Sequence, residues 1–229
     1  MRQKLTIIFD VDGTLAETAP DLINAHNHVM RKYGYPIQYP EDLKKLVGKG
    51  ASSLIGRSVW GNAQKNFKNI KDDKIKKDMV DEFLNFYTRN ICVESKLLNG
   101  TESFLKWCKE NEFALGVCTN KQEHLAIDLL KKLKVNDFFE YVAGSNTFEY
   151  CKPDPRHLTN VIEIMNGDIK KSIMIGDSET DAETARSAGV PFILIDNGYT
   201  EKKSFEIYHD HLIKDFIGIE TIISKYLDH

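Results

Sequence analysis

Residues 5–14 read L-T-I-I-F-D-V-D-G-T, and this stretch limits the fold more tightly than any other. Leu5 to Phe9 are apolar or β-branched, and the first charge is Asp10. An unbroken run of this kind is the pattern of a short strand buried on both faces, as in a parallel sheet. Desolvating a carboxylate is expensive, so Asp10 and Asp12 belong at the rim, outside the strand's carboxyl end. Gly13 lets the chain turn sharply there, because glycine takes backbone angles other residues avoid. In an extended chain, acids two positions apart point to one side. Such a pair invites a hard cation with oxygen ligands, Mg²⁺ first among them. It also suits a division of labour, one carboxyl ionised and the other protonated. A strand end followed by a plain Asp-Gly turn fits the same letters, so the rest of the chain has to decide.

Beyond Leu98, strand and helix patterns alternate. The periodicity predicts strands over 113–118, 139–143, 172–175 and 192–195. It predicts helices over 101–111, 122–133, 155–165 and 180–188, and a last helix over about 215–226. This alternation implies right-handed crossovers and a mostly parallel sheet, with the ligand outside the strands' carboxyl ends. Residues 16–90 read differently. Leu22, Ala25, Val29 and Tyr33 mark a helix over about 19–34, and a short helix is expected over 42–47. Gly48 to Leu54 reads as a glycine-bracketed turn. Ile70, Ile75, Met79, Phe83, Phe86 and Tyr87 mark a helix over 70–91 with a charged, solvated outer face. No strand is expected in this part. The expected fold class is α/β: a Rossmann-like three-layer core with a mostly parallel sheet, built from residues 1–15 and 91–229. A small all-helical domain, residues 16–90, is inserted after the first strand.

Polar residues gather at the predicted strand ends. Thr119-Asn120-Lys121 follows A-L-G-V-C and precedes a helix; taken alone it reads first as a plain N-cap at Thr119, and it also suits an anion site. Lys152 stands before Pro153-Asp154-Pro155, where its ammonium could neutralise a phosphoryl group or simply face solvent. Gly176-Asp177-Ser178-Glu179-Thr180-Asp181 supplies a third and a fourth carboxylate, Asp181 lying one helical turn beyond Asp177. A capping box on Ser178 fits that segment too.

Composition removes several alternatives. Lys and Arg number 31 against 34 Asp and Glu, a net charge of −3, so no basic field favours nucleic acid or a membrane surface. No stretch approaches the length of a membrane span, and the apolar run after Met1 is too short for a signal peptide. Cys92, Cys108, Cys118 and Cys151 form no C-x-x-C pair and read as free thiols of a reducing compartment. The expected location is the cytoplasm.

Asp10-Val11-Asp12-Gly13-Thr14, Thr119-Asn120, Lys152-Pro153-Asp154-Pro155 and Gly176-to-Asp181 occur in this order, each at a predicted strand end. Together they resemble the four motifs of the haloacid dehalogenase superfamily of phosphohydrolases. The resemblance covers essentially the whole chain, and the helical insertion is similar to that family's helical cap. It implies an aspartyl-phosphate mechanism. Asp10 is then the nucleophile and Asp12 the general acid and base. Gly13, Thr119, Asn120 and Lys152 hold the phosphoryl group, with Ser178 and Asp181 in support. Mg²⁺ would sit on Asp10, Asp177 and the main-chain carbonyl of Asp12. The partner implied is a small-molecule phosphomonoester, with no nucleic acid or membrane, and the chain is expected as a monomer or weak homodimer.

Within the superfamily the chain is most similar to the phosphoglycolate phosphatases. Thr18-Ala19-Pro20-Asp21-Leu22, Gly48-Lys49-Gly50 and Asn197-Gly198-Tyr199 carry that likeness. Glu17-Thr18 stands where that group usually has Asp-Ser. Lys49 is the candidate for the substrate's distal carboxylate. The alternatives are a phosphatase of another small phosphometabolite, or a phosphosugar mutase. Those mutases carry a cap histidine at about the position of Leu22, and His26 and His28 are out of that register.

Overall fold

The computed structural model describes residues 4–44, 50–60, 70–196 and 198–227. The elements run β1 (Thr6–Phe9), β2 (Ala16–Glu17), α1 (Ala19–Tyr33), α2 (Pro40–Lys44), α3 (Ala51–Trp60), α4 (Ile70–Arg89), β3 (Lys96–Leu97), α5 (Thr101–Glu110) and β4 (Ala114–Cys118). They continue with α6 (Glu123–Lys132), β5 (Tyr141–Ala143), α7 (Pro155–Ile164), β6 (Ser172–Gly176), α8 (Glu179–Ala188), β7 (Phe192–Ile195), β8 (His211–Ile213) and α9 (Glu220–Ile223).

Among the described residues the main sheet has six strands in the order β5-β4-β1-β6-β7-β8, every pairing parallel. The chain leaves β1 toward β4 on one side and returns to β6 on the other. That reversal opens a crevice at the carboxyl ends of the central strands. Register brings the ends together, because Phe9 pairs with both Val117 and Ile175. Asp10, Thr119 and Asp177 therefore leave three adjacent strands at nearly one height.

All four residues of β1 are buried, as a strand covered on both faces must be. Ile7 and Phe9 face a cluster with Phe104, Leu105, Leu125 and Leu129, while Ile8 faces the opposite cluster with Leu158, Val161, Ala182 and Ala185. Helices thus cover both faces, giving three layers. The first cluster continues through Leu22, Val29, Leu54, Met79, Phe83 and Tyr87, so α1, α3 and α4 share one apolar surface with the sheet.

The structure corrects the sequence reading at several elements. Residues 16–17 are not helical. They pair antiparallel with Lys96–Leu97, a ribbon two residues wide and too short to leave any alternation. Ala51 to Leu54, read as part of a turn, is the first turn of α3; Gly50 ahead of it has the left-handed φ of +81°, and Gly48 and Lys49 lie outside the described residues. The edge strand β8 was not foreseen, because half-exposed H-L-I presents no buried apolar run. The last helix is far shorter than 215–226. Gly218 (φ +78°) breaks the pattern, and Glu220–Ile223 runs on only as a 3₁₀ turn over Ser224–Tyr226. The short helix is Pro40–Lys44, and residues 45–47 of the expected range lie outside the described residues. No helix among the described residues is long and apolar enough to cross a membrane.

The helical segment joins the core by two crossings, and each is fastened. At the first, the Tyr199 hydroxyl accepts from the amides of Thr18 (2.7 Å) and Ala19 (2.8 Å) and donates to Glu17 (2.6 Å). At the second, the buried Asp21 carboxylate accepts from the amides of Val93 (3.0 Å), Glu94 (3.1 Å) and Ser95 (2.9 Å) and from the Ser95 hydroxyl (2.6 Å). Removing that carboxylate strands four donors. Asp21→Ala should lower unfolding stability by about 3 kcal/mol in urea denaturation, and a loss under about 0.5 kcal/mol, the range of ordinary surface changes, would contradict the fastening role.

Candidate active site

Asp10 continues β1, its amide donating to Ile175 at 3.0 Å, and its carboxylate enters the crevice. Asp10, Asp177 and Asp181 each offer an oxygen within 4.8 Å of the others, all from buried side chains. Lys152 stands among them, 2.5 Å from Asp181 Oδ1 and 3.1 Å from Asp10 Oδ1. The second contact has ion-pair distance without hydrogen-bond alignment, and Asp10 Oδ1 makes no hydrogen bond among the described residues.

Each side chain is held from behind. His157 Nδ1 accepts from the Lys152 amide at 3.2 Å, and burial, helped by the Lys152 charge, pushes the imidazole down to about 4, so it stays neutral and able to accept. The Lys152–Pro153 peptide is cis. Asn120 Nδ2 donates to the Lys152 carbonyl at 3.0 Å and ties the second motif to the third. Ser178 caps α8 in a capping box with Asp181. That segment serves both readings, because Asp181 Oδ2 takes the Ser178 hydroxyl (2.6 Å) and amide (3.1 Å) while Oδ1 takes Lys152. Asp177 accepts from the Thr14 hydroxyl (3.2 Å) and the Tyr199 amide (2.5 Å). Gly13, expected as a phosphate contact, has φ +82°, and a Cβ there would fall on the Asp177 carboxylate; its backbone and its missing side chain make room for that residue. Thr119 is not the helix cap: Gln122 is, and the Thr119 hydroxyl accepts from the Lys121 amide at 3.3 Å.

Asp12 is set apart from Asp10 by its partners. Its Oδ1 accepts from the Thr18 hydroxyl at 2.7 Å, and its Oδ2 lies 3.0 Å from Lys121 Nζ. Lys121 also donates to the Tyr87 hydroxyl of α4 at 2.9 Å. Thr18, Tyr87, Lys121 and His157 are therefore residues of this site that sequence reasoning passed over. The one available signal was Lys121, a cation in the turn between a strand end and a helix start. Lys49 lies outside the described residues.

Asp10, Asp12, Lys121 and Lys152 all line one cavity of about 560 Å³ beneath α4. Among the described residues four buried carboxylates face two buried ammoniums, and with all four ionised the site would be two positive charges short. Burial, then the neighbouring carboxylates against Lys152, pushes Asp10 up to about 6; burial, Asp181 and Asp10 push Asp177 up as well. Burial alone would depress Lys152, yet Asp10 and Asp181 outweigh it and hold its pKa above the ordinary value. A divalent cation with oxygen ligands fits this deficit and this donor set. Asp10, Asp177 and Asp181 each offer an oxygen to such an ion, and Asp10 Oδ1 is the one without a hydrogen bond among the described residues.

The family model of the haloacid dehalogenase-like hydrolases matches residues 7–195, and the chain belongs to that family. It is 36% identical over 228 residues to a phosphoglycolate phosphatase of Agrobacterium fabrum, covering 95% of this chain and 94% of the other. It is 33% identical over 221 residues to a phosphoglycolate phosphatase of Mesorhizobium japonicum, covering 96% and 95%. A crystal structure described as a predicted phosphoglycolate phosphatase from Haemophilus somnus superposes with a TM-score of 0.87 at 26% identity, covering 97% and 99%. Family and relatives together make this chain a phosphoric monoester hydrolase.

The carboxylate shifts have a consequence for stability. With its folded pKa raised, Asp10 contributes stability that is present below the unfolded value and lost as pH rises through about 6. A bound cation competes with that proton. The rise in Tm produced by millimolar Mg²⁺ should therefore grow between about pH 5 and about pH 7.5; scanning fluorimetry showing an equal shift at both would contradict the donor set.

Proposed function

We propose that the chain is a Mg²⁺-dependent phosphatase acting through an aspartyl-phosphate on Asp10, with 2-phosphoglycolate as its substrate. The observation that carries the reading is the sharing of charges. Asp10 shares Lys152 with Asp181, whereas Asp12 pairs with Lys121, so two carboxylates in one cavity have different surroundings and suit two different tasks. The relatives of 33% and 36% identity, both phosphoglycolate phosphatases, support the choice of substrate.

Asp10 attacks phosphorus in line, and the ester P–O bond breaks as the new one forms. The leaving oxygen takes a proton from Asp12. Water then gives a proton back to Asp12 and attacks the phosphoryl group, which releases phosphate and restores the Asp10 carboxylate. Thr119 and the Asn120 amide hold the non-bridging oxygens, Lys152 balances their charge, and Asp181 holds Lys152 in place. Mg²⁺ would be held by the Asp10 and Asp177 carboxylates and the Asp12 carbonyl, and when bound it would screen the dianionic phosphate from the carboxylates. Residues 16–90 serve as a cap on the core of residues 1–15 and 91–229, excluding bulk water from the cavity during turnover.

Asp10→Asn should lower kcat by roughly a thousandfold or more while the folded structure persists by circular dichroism. Near-normal rates would remove Asp10 as the nucleophile. Asp12→Asn should cost about 100-fold or more on alkyl phosphates and much less on p-nitrophenyl phosphate, whose leaving group needs little protonation; equal losses on both would remove the acid role.

A further inference from the structure

Among the described residues, two ammoniums line the cavity, with different partners. Lys152 stands between Asp10 and Asp181, on the phosphoryl side. Lys121 stands on the side of α4, 3.0 Å from Asp12, 2.9 Å from the Tyr87 hydroxyl and 4.6 Å from the centre of the Tyr87 ring. Its side chain is only 4% exposed, although it lines the cavity. An ammonium has three protons to donate. Asp12 and Tyr87 account for two, and the third has no partner among the described residues. Burying a cation with a donor left over is costly unless something else fills the place.

The atoms that would fill it follow from the reading of Asp12 as the acid, on which this inference rests. The leaving oxygen lies beside Asp12, so the carbon attached to it lies on the Asp12 side of the cavity. The walls there are apolar, from Leu22, Leu54, Phe83, Leu84 and Leu125. Among the described lining residues, Lys121 is the cation on that side. Asp12 and Lys121 are in direct contact, so a group bonded to both at once must carry its negative charge close to its ester oxygen. A carboxylate on the carbon that bears the ester oxygen meets that requirement. A longer chain would carry the charge past Lys121 toward the leucines.

The geometry points to Lys121 as the residue that selects the substrate's leaving group, its ammonium pairing with the carboxylate of a phosphorylated 2-hydroxy acid while Tyr87 holds it in position. The Tyr87 oxygen accepts from the ammonium at 2.9 Å and its ring centre lies 4.6 Å away, and both stabilise the charge. Tyr87 itself is pushed up to about 12, mainly by burial, and remains a neutral phenol that accepts from Lys121. Lys121 recognises charge and spacing, and the aliphatic walls exclude bulk.

The test compares 2-phosphoglycolate with ethyl phosphate, which has the same carbon count and lacks the carboxylate, and uses p-nitrophenyl phosphate as a common reference. The wild type should favour 2-phosphoglycolate in kcat/KM. Lys121→Met should lower the ratio of the two kcat/KM values by about 100-fold. Lys121→Arg should restore part of it, and Tyr87→Phe should lower it by roughly fivefold, mainly through KM. Inhibition by glycolate should weaken in Lys121→Met by a comparable factor. Taking the ratio cancels any general loss from disturbing Asp12 or from partial misfolding. A ratio unchanged within about twofold in Lys121→Met overturns the assignment, and so does a ratio moved by Lys49→Ala and not by Lys121→Met. A wild type with no preference for carboxylated esters overturns it while leaving the phosphatase intact. A wild type that prefers another phosphorylated 2-hydroxy acid supports Lys121 and removes 2-phosphoglycolate, and a wild type inactive on every ester removes both readings.

Discussion

The ion pair between Lys152 and the carboxylates of Asp10 and Asp181 is the interaction on which the rest of this structure turns. All three groups are out of water, and a buried charge is tolerated only with close partners. The surroundings are built to supply them. Asp181 takes the amide and hydroxyl of Ser178, Lys152 is anchored through its amide by His157, and Asp177 is held by Thr14 and Tyr199. Small residues complete the arrangement. A side chain at Gly176 would meet the Asp181 carboxyl, and one at Gly13 would meet that of Asp177. The backbone at the ends of β1 and β6 is thus shaped around carboxylates, and their grouping suits a cation.

A second network joins this site to the helical segment. Asp12 is connected to that segment at two places. Thr18 at the first crossing donates to it, and Tyr87, near the end of α4, reaches it through Lys121. Tyr199 fastens the first crossing and, through its amide, also holds Asp177. Asp12, Asp177 and the first crossing are therefore linked through Thr18 and Tyr199. A shift of α4 against the core must change the partners of Lys121, and through it those of Asp12.

Much of this was legible in the letters. The buried run before Asp10, the alternation after Leu98, and acids or threonine at successive strand ends follow from local rules. An apolar run must be covered, and charges leave the sheet where the strand ends. What escaped the reading has physical reasons as well. The ribbon of Ala16–Glu17 with Lys96–Leu97 is too short for a period, the edge strand β8 is half exposed, and Gly218 halts a helix whose apolar spacing continues past it. Lys121 and His157 drew no reading of their own, because the partners that bury them come from distant parts of the chain.

The amino-acid sequence by itself determined a parallel α/β core, a helical insertion after the first strand, and a set of acids and lysines at the strand ends, because hydrophobic period and desolvation act over a few residues at a time. Only the tertiary structure decided how those charges are shared. Whether Lys121 is buried depends on α4, whose Tyr87 comes from 34 positions earlier in the chain. Which carboxylate takes which ammonium depends on the order of strands around β1. Pairing between buried charges is set by distance in space, and contacts of that range leave no periodic trace in the chain.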